Sequence, residues 1–192
     1  MICEGIKSQL VGPTSRSKLL DRLTVVGLLV LAVAGCKQLQ SLGRPTVLKS
    51  PDGKFQLTVP AGWRENPTLN EKADIKAGNP IQEMYVIVIT EPKTDFTGDM
   101  TLEEYSNIVR DSMTSNLTSP DSTQPVPVTI NGRPGLRYEL QGAIRNVKLT
   151  YLVTNIETDA HYHQVITWTL QSHMDRNRAT LQQVAGTFRP TL

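Results

Sequence analysis

The residues with chemistry to offer are few. His161 and His163 alternate in the run HYHQVITWTL, so on a strand they share one face about 7 Å apart. A metal ion bridging two imidazoles there needs a third ligand, from His173 or a neighbouring strand, to approach the usual zinc count. The same face continues through Val165, Thr167 and Thr169, whereas Tyr162, Ile166, Trp168 and Leu170 on the other face read as core. The pair therefore has two readings: ordinary histidines near a strand end, or the ligands of a metal or small-molecule carrier. Trp63 follows the breaker Pro60-Ala61-Gly62 and suits either the core or a recognition rim. Gly132 and Arg133, in the turn Asn131 to Gly135, are the other partner-binding candidates, because structured turns carry recognition on rigid scaffolds. Glu103, Glu104 and Asp111 read as a solvated helix face rather than paired acid–base groups. No G-x-S-x-G, H-E-x-x-H, P-loop or dinucleotide fingerprint occurs. The sequence thus predicts a protein that is not an enzyme and carries no cofactor.

Thiol chemistry is limited by count, since the 192 residues include only Cys3 and Cys36. Leu23 to Ala34 is an uncharged apolar run preceded by Lys18 and Arg22. As a helix it rises about 18 Å, well short of a hydrocarbon core of about 30 Å. Basic residues, a short apolar segment and small residues at its end form a secretory signal. Val33-Ala34-Gly35-Cys36 resembles the bacterial lipobox. That resemblance implies cleavage before Cys36, acylation of its sulfur and amino group, and stable attachment through more than one chain. The predicted organisation is a lipoprotein signal peptide over 1–35, a lipidated Cys36 with a short tether over 36–44, and one domain over 45–192. The segment before Arg22 is long for a signal peptide and holds Glu4 and Asp21, which suggests a start at a codon such as Val11 or Leu19.

Processing changes the charge. Lys7, Arg16, Lys18, Arg22, Glu4 and Asp21 would leave, and the remaining side chains of the 20 basic and 18 acidic residues balance. With no basic stripe, nucleic acid is not an expected partner. The expected partners are membrane lipid, through acylated Cys36, and a membrane protein. The expected location is a bacterial membrane, facing the periplasm, the cell exterior or a thylakoid lumen.

Positioning these residues takes a mixed fold. Thr46 to Lys49 and Phe55 to Val59 read as strands flanking the turn Ser50-Pro51-Asp52-Gly53. Arg64 to Pro80 reads as a loop with a helical turn around Asn70 to Lys76. Gln82 to Thr90 is apolar on both faces, the pattern of a central strand covered on both sides. Thr101 to Glu104 has capping-box form, and Leu102, Tyr105, Val109, Met113 and Leu117 give one buried helix stripe, stopped by Ser119-Pro120. Val126 to Ile130, Leu136 to Ile144, Val147 to Ile156 and His161 to Leu170 read as antiparallel strands. Ser172 to Asp175 suggests a second capping box before a closing helix with Leu181, Val184, Ala185 and Phe188 on its apolar side.

Three passages carry a wider resemblance: Phe55 to Trp63 (FQLTVPAGW), Val128 to Tyr138 (VTINGRPGLRY), and Tyr162 to Phe188, a strand ending in TWTLQS followed by a short helix. Their order and spacing resemble the Mog1/PsbP-like superfamily, which includes photosystem II PsbP proteins and bacterial lipoproteins of the DcrB and LpqN type. The resemblance implies an α+β fold, an antiparallel sheet of about six or seven strands sandwiched between helices. It also implies a non-catalytic binding or assembly module for a membrane complex. The alternative is a small-ligand or metal carrier using a cleft near His161 and His163.

Overall fold

The computed structural model describes residues 43–191. The signal peptide over 1–35, Cys36 and the tether up to residue 42 lie outside the described residues. Eleven strands and two helices follow in order: β1 (Thr46–Lys49), β2 (Phe55–Val59), β3 (Arg64–Glu65), β4 (Ile75–Asn79), β5 (Met84–Pro92), α1 (Leu102–Ser115), β6 (Thr118–Ser122), β7 (Val126–Ile130), β8 (Arg133–Ile144), β9 (Val147–Glu157), β10 (His161–Leu170), α2 (Met174–Gly186) and β11 (Arg189–Pro190). Among these described residues no helix is long and apolar enough to cross a membrane.

The large antiparallel sheet runs β3-β4-β5-β10-β9-β8-β6, with β7 also paired to β8, which makes eight strands. The α+β expectation holds, but the sheet is larger than the six or seven strands predicted, and a separate three-stranded sheet β1-β2-β11 accompanies it. Three short strands of the large sheet lie outside the sequence expectation, the first being β3, in the expected loop, which pairs with β4 at Arg64↔Gly78 and Glu65↔Ala77. Ile75-Lys76-Ala77-Gly78-Asn79, expected as loop and helical turn, pairs with β5 from Ile75↔Val88 to Asn79↔Met84. Thr118 to Ser122, expected only as a helix stop, pairs with β8 through a bulge between Thr118 and Asp121.

Strand alternation sends successive side chains to opposite faces. One face of the large sheet gives Ile87, Tyr138, Leu140, Tyr151, Val153, Tyr162 and Ile166 to a core closed by Tyr105 and Val109 of α1. The other gives Val86, Val88, Leu152, Ile156 and Val165 to a core closed by Leu181, Val184 and Ala185 of α2 together with Leu57, Val59 and Phe55 of the small sheet. The sandwich is thus asymmetric, a helix on one face and a helix plus sheet on the other.

Local chemistry sets the boundaries. The Glu104 N–H donates to Thr101 Oγ1 (3.2 Å), and the Thr101 N–H donates to Glu104 Oε2 (2.8 Å), the reciprocal box expected at the start of α1. The Thr101 N–H and then its hydroxyl, both donating to Glu104 Oε2, hold the exposed Glu104 carboxyl below its usual range. The second box does not form: α2 begins at Met174 after a short 3-10 turn, and His173 precedes it without a capping side-chain bond. Phe188 lies beyond the end of α2, not on its stripe, and is fully buried. The far end of α2 is tied down instead. The Thr58 N–H of β2 donates to Thr187 Oγ1 (2.9 Å), and Asn131 Nδ2 donates to the carbonyls of Gly186 (3.0 Å) and Phe188 (2.8 Å).

Replacing Thr101 with Ala removes one arm of the capping box and is expected to lower unfolding free energy by about 1 kcal/mol. Denaturant unfolding at pH 7 measures it; an unchanged midpoint would show that the box does not stabilise α1.

Candidate functional site

His161 and His163 do share a face, with ring centroids 5.9 Å apart, but their surroundings differ. His163 is fully buried beneath the small sheet, its ring 4.3 Å from Phe55 and 4.9 Å from Phe188. Both ring nitrogens are engaged: Thr90 Oγ1 lies 3.1 Å from Nδ1 and Thr158 Oγ1 lies 3.1 Å from Nε2. The Thr158 hydroxyl donates its one proton to the His161 carbonyl (3.0 Å), so toward His163 it can only accept. That assigns the proton of a neutral His163 to Nε2 and leaves Nδ1 to accept from Thr90. Burial, and secondarily the neighbouring His161, push the His163 pKa down to about 3. The imidazole is therefore a neutral, doubly bonded core group with no free nitrogen for a metal.

The third ligand considered, His173, lies beside a different group, with Nδ1 2.9 Å from Glu83 Oε2. Among the described residues no three His, Cys, Asp or Glu side chains converge to hold a metal ion.

Trp63 lies in the core beneath the small sheet with only 5% of its surface exposed, so its indole presents no rim to a partner. Gly132 and Arg133 do stand at the surface. Asn131 (φ 48°) and Gly132 (φ 81°) form the two-residue turn between β7 and β8, the positive-φ pair that a type I′ hairpin requires. Arg133 starts β8 and reaches Asp159 in the β9–β10 turn, Nη1 to Oδ1 3.2 Å. Exposed pairs of this kind contribute little to stability. The two turns thus form one charged end of the sheet.

A polar cluster beneath α1 escaped the sequence reading. Tyr105 Oη donates to Glu91 Oε2 (2.5 Å), and Gln164 Nε2 donates to the same oxygen (2.8 Å) and to Tyr105 Oη (3.0 Å). The Tyr105 ring stacks on Tyr162 with centroids 4.3 Å apart, and Lys93 Nζ lies 5.2 Å over the Tyr162 ring while pairing with Glu157 at 2.6 Å. Deeper under the helix, Asn155 Nδ2 donates to Ser106 Oγ at 2.9 Å. The signal was available: Gln164 interrupts the apolar series Tyr162, Ile166, Trp168, and Glu91 continues Tyr85, Ile87, Ile89. Burial foremost, then the bond to Glu91, raises the Tyr105 phenol far above its ordinary value. It stays a fixed donor near neutral pH, and the cluster braces helix to sheet.

No family model matches the sequence, and no curated protein matches it. Solved structures do. Cyanobacterial PsbP (CyanoP) from Synechocystis superposes with a TM-score of 0.56 at 13% identity, covering 83% of this chain and 99% of its own. LpqN of Mycobacterium tuberculosis, described as involved in cell envelope biogenesis, gives 0.51 at 15% identity over 77% of this chain and 91% of its own. A protein of unknown function from Pseudomonas aeruginosa, PA94, gives 0.51 at 13% identity over 78% and 99%. The chain therefore has the PsbP-like fold.

The buried neutral His163 has a measurable consequence. In the unfolded chain it titrates near 6.5; in the fold it stays neutral down to about 3. Between those values the unfolded chain binds the extra proton, so stability falls as pH falls. This single group accounts for a loss of about 2 kcal/mol between pH 7 and pH 5. His163→Gln is expected to be less stable at pH 7 but to lose less on acidification. A wild-type stability that does not decline across this interval would show that His163 is not held neutral.

Proposed function

We propose that this chain is an extracytoplasmic lipoprotein, held to a bacterial membrane by acyl chains on Cys36, whose domain docks on a membrane-protein partner without turnover. The observation that carries the reading is the box Val33-Ala34-Gly35-Cys36 placed ten residues before the first strand at Thr46. A spacing that short keeps a folded domain within a few nanometres of the bilayer, where the effective concentration of a membrane partner is high. The fold supports the reading by its company, a cyanobacterial PsbP and a protein involved in cell envelope biogenesis. The site geometry supports it as well. His163 and the Tyr105 cluster hold layers together, while the Gly132–Arg133 turn and its Asp159 neighbour stand at the surface at one end of the sheet. The carrier alternative loses its main support, because His163 is sealed under Phe55 with both nitrogens bonded.

Mass spectrometry of the mature N-terminus is expected to find an acylated Cys36, and Cys36→Ser to abolish that modification. An unmodified cysteine, or cleavage elsewhere, would sink the anchor. An exported form beginning at Lys37 is expected to complement a deletion strain only at much higher levels. Full complementation at native level would remove tethering from the mechanism, and substrate turnover by the pure protein would remove docking.

A further inference from the structure

The β8–β9 hairpin ends in a tip that the fold does not use. Ile144 and Val147 are register partners and so stand side by side on the face that α1 covers. The cover stops short of them. Leu117, just past α1, packs on Gly142, where an added Cβ would meet its Cβ at 2.8 Å. On the other side β10 pairs only as far as Leu170↔Leu149, and β6 reaches only Ala143. The tip therefore projects beyond its neighbours, leaving Ile144 42% and Val147 47% exposed. Arg145 and Lys148 flank the pair, both exposed, and neither forms an ion pair among the described residues.

The turn itself is unusual. Arg145 (φ 48°) and Asn146 (φ 68°) occupy the two positive-φ positions of the hairpin. The same conformation between β7 and β8 is met by Asn131-Gly132, the residues it favours. An arginine held at positive φ is a backbone cost. Among the described residues no hydrogen bond or ion pair of its side chain offsets that cost, which leaves the cation at the apex available to something outside the domain.

We propose that the tip Ile144 to Lys148 inserts into the headgroup region of an anionic bilayer. Two aliphatic side chains beside two cations match the boundary between acyl chains and anionic headgroups. A purely apolar protein groove would take the aliphatics and leave the two cations unpaired. The membrane is within reach on the anchored reading above, on which this inference rests for proximity: from Cys36 to Gly43 the chain spans at most about 25 Å. The tip then provides a second contact that fixes how the domain is turned on the surface.

The test uses the mature chain with Val147→Cys carrying an environment-sensitive fluorophore, in the acylated form whose Cys36 is blocked and in a Cys36→Ser form that has no other thiol. A second label at Asp159→Cys, in the β9–β10 turn, reports the opposite end of the sheet. Vesicles of phosphatidylcholine with phosphatidylglycerol are compared with phosphatidylcholine alone, both at saturating lipid, so that the tip is read whether or not Cys36 is acylated. Flotation of the vesicles scores the anchor separately. The tip label is expected to shift to the blue and be quenched by lipid-borne quenchers on anionic vesicles only, with the Asp159 label unchanged. Arg145→Gln with Lys148→Gln should lower tip partitioning about 25-fold, fivefold per cation. These turn substitutions touch no core residue, and unfolding midpoints confirm that the fold persists. A tip label that stays aqueous on anionic vesicles overturns the proposal, as does equal entry of both labels. Entry that requires added membrane proteins also overturns it, and assigns the tip to a protein partner.

Discussion

The structure depends on the fact that both faces of its large sheet are apolar. A strand such as Met84 to Pro92, with Val86 and Val88 facing one way and Ile87 the other, cannot be left open to water on either side. Each buried aliphatic of this size contributes roughly 1.5–3 kcal/mol, so both covers are required for the sheet to persist. One cover is simple: α1 lies across it, positioned by the capping box at Thr101. The other is composite. The first and last elements of the described residues, β1, β2 and β11, pair into a small sheet that packs on the same face as α2.

That closure explains where the chemically capable residues went. His163 lies where the small sheet meets the large one, between Phe55 from near the start of the domain and Phe188 from its end. An unpaired imidazole there would carry two unsatisfied polar atoms; Thr90 and Thr158 satisfy both. Tyr105 answers the same need under α1. Its hydroxyl must find an acceptor, and Glu91 supplies one within the same layer as Gln164. A depressed histidine and an elevated tyrosine often mark catalysis. Here each shift comes first from burial, and the partners, two threonine hydroxyls for His163 and the Glu91 carboxylate with the Gln164 amide for Tyr105, fix the group in place.

Much of this was legible in the sequence, and the failures have physical causes. Period-two and period-3.6 patterns located β2, β5, the β7-to-β10 meander and both helices, because those elements bury one or two complete faces. The strand Ile75 to Asn79 was missed because Lys76, Gly78 and Asn79 are poor strand formers. Only pairing with β5 makes them extended. Thr118 to Ser122 carries a proline and no apolar residue, as suits an edge strand. The two histidines were rightly placed on one face, but their burial could not be read locally. It depends on Phe55 and Phe188, more than a hundred positions apart. Trp63, read as either core or rim, belongs to the core, the choice being set by long-range packing that its local turn does not reveal.

The division of labour that results bears on how such a domain works. The helices, His163 and the buried tyrosines are committed to closing two cores. What varies freely is at the ends of the sheet, where turns need only keep their backbone geometry. The Asn131–Gly132 turn spends its residues on that geometry and on the carbonyls of Gly186 and Phe188. The Arg145–Asn146 turn accepts an ill-suited residue and makes no comparable tie. Two hairpins on one strand, β8, thus differ in kind: one secures the fold, and the other is the tip proposed to meet the bilayer. A lipid tether fixes only distance to the bilayer and leaves orientation open. A projecting cationic and aliphatic tip at one end of a rigid sheet can set that orientation, and with it the surface a partner meets.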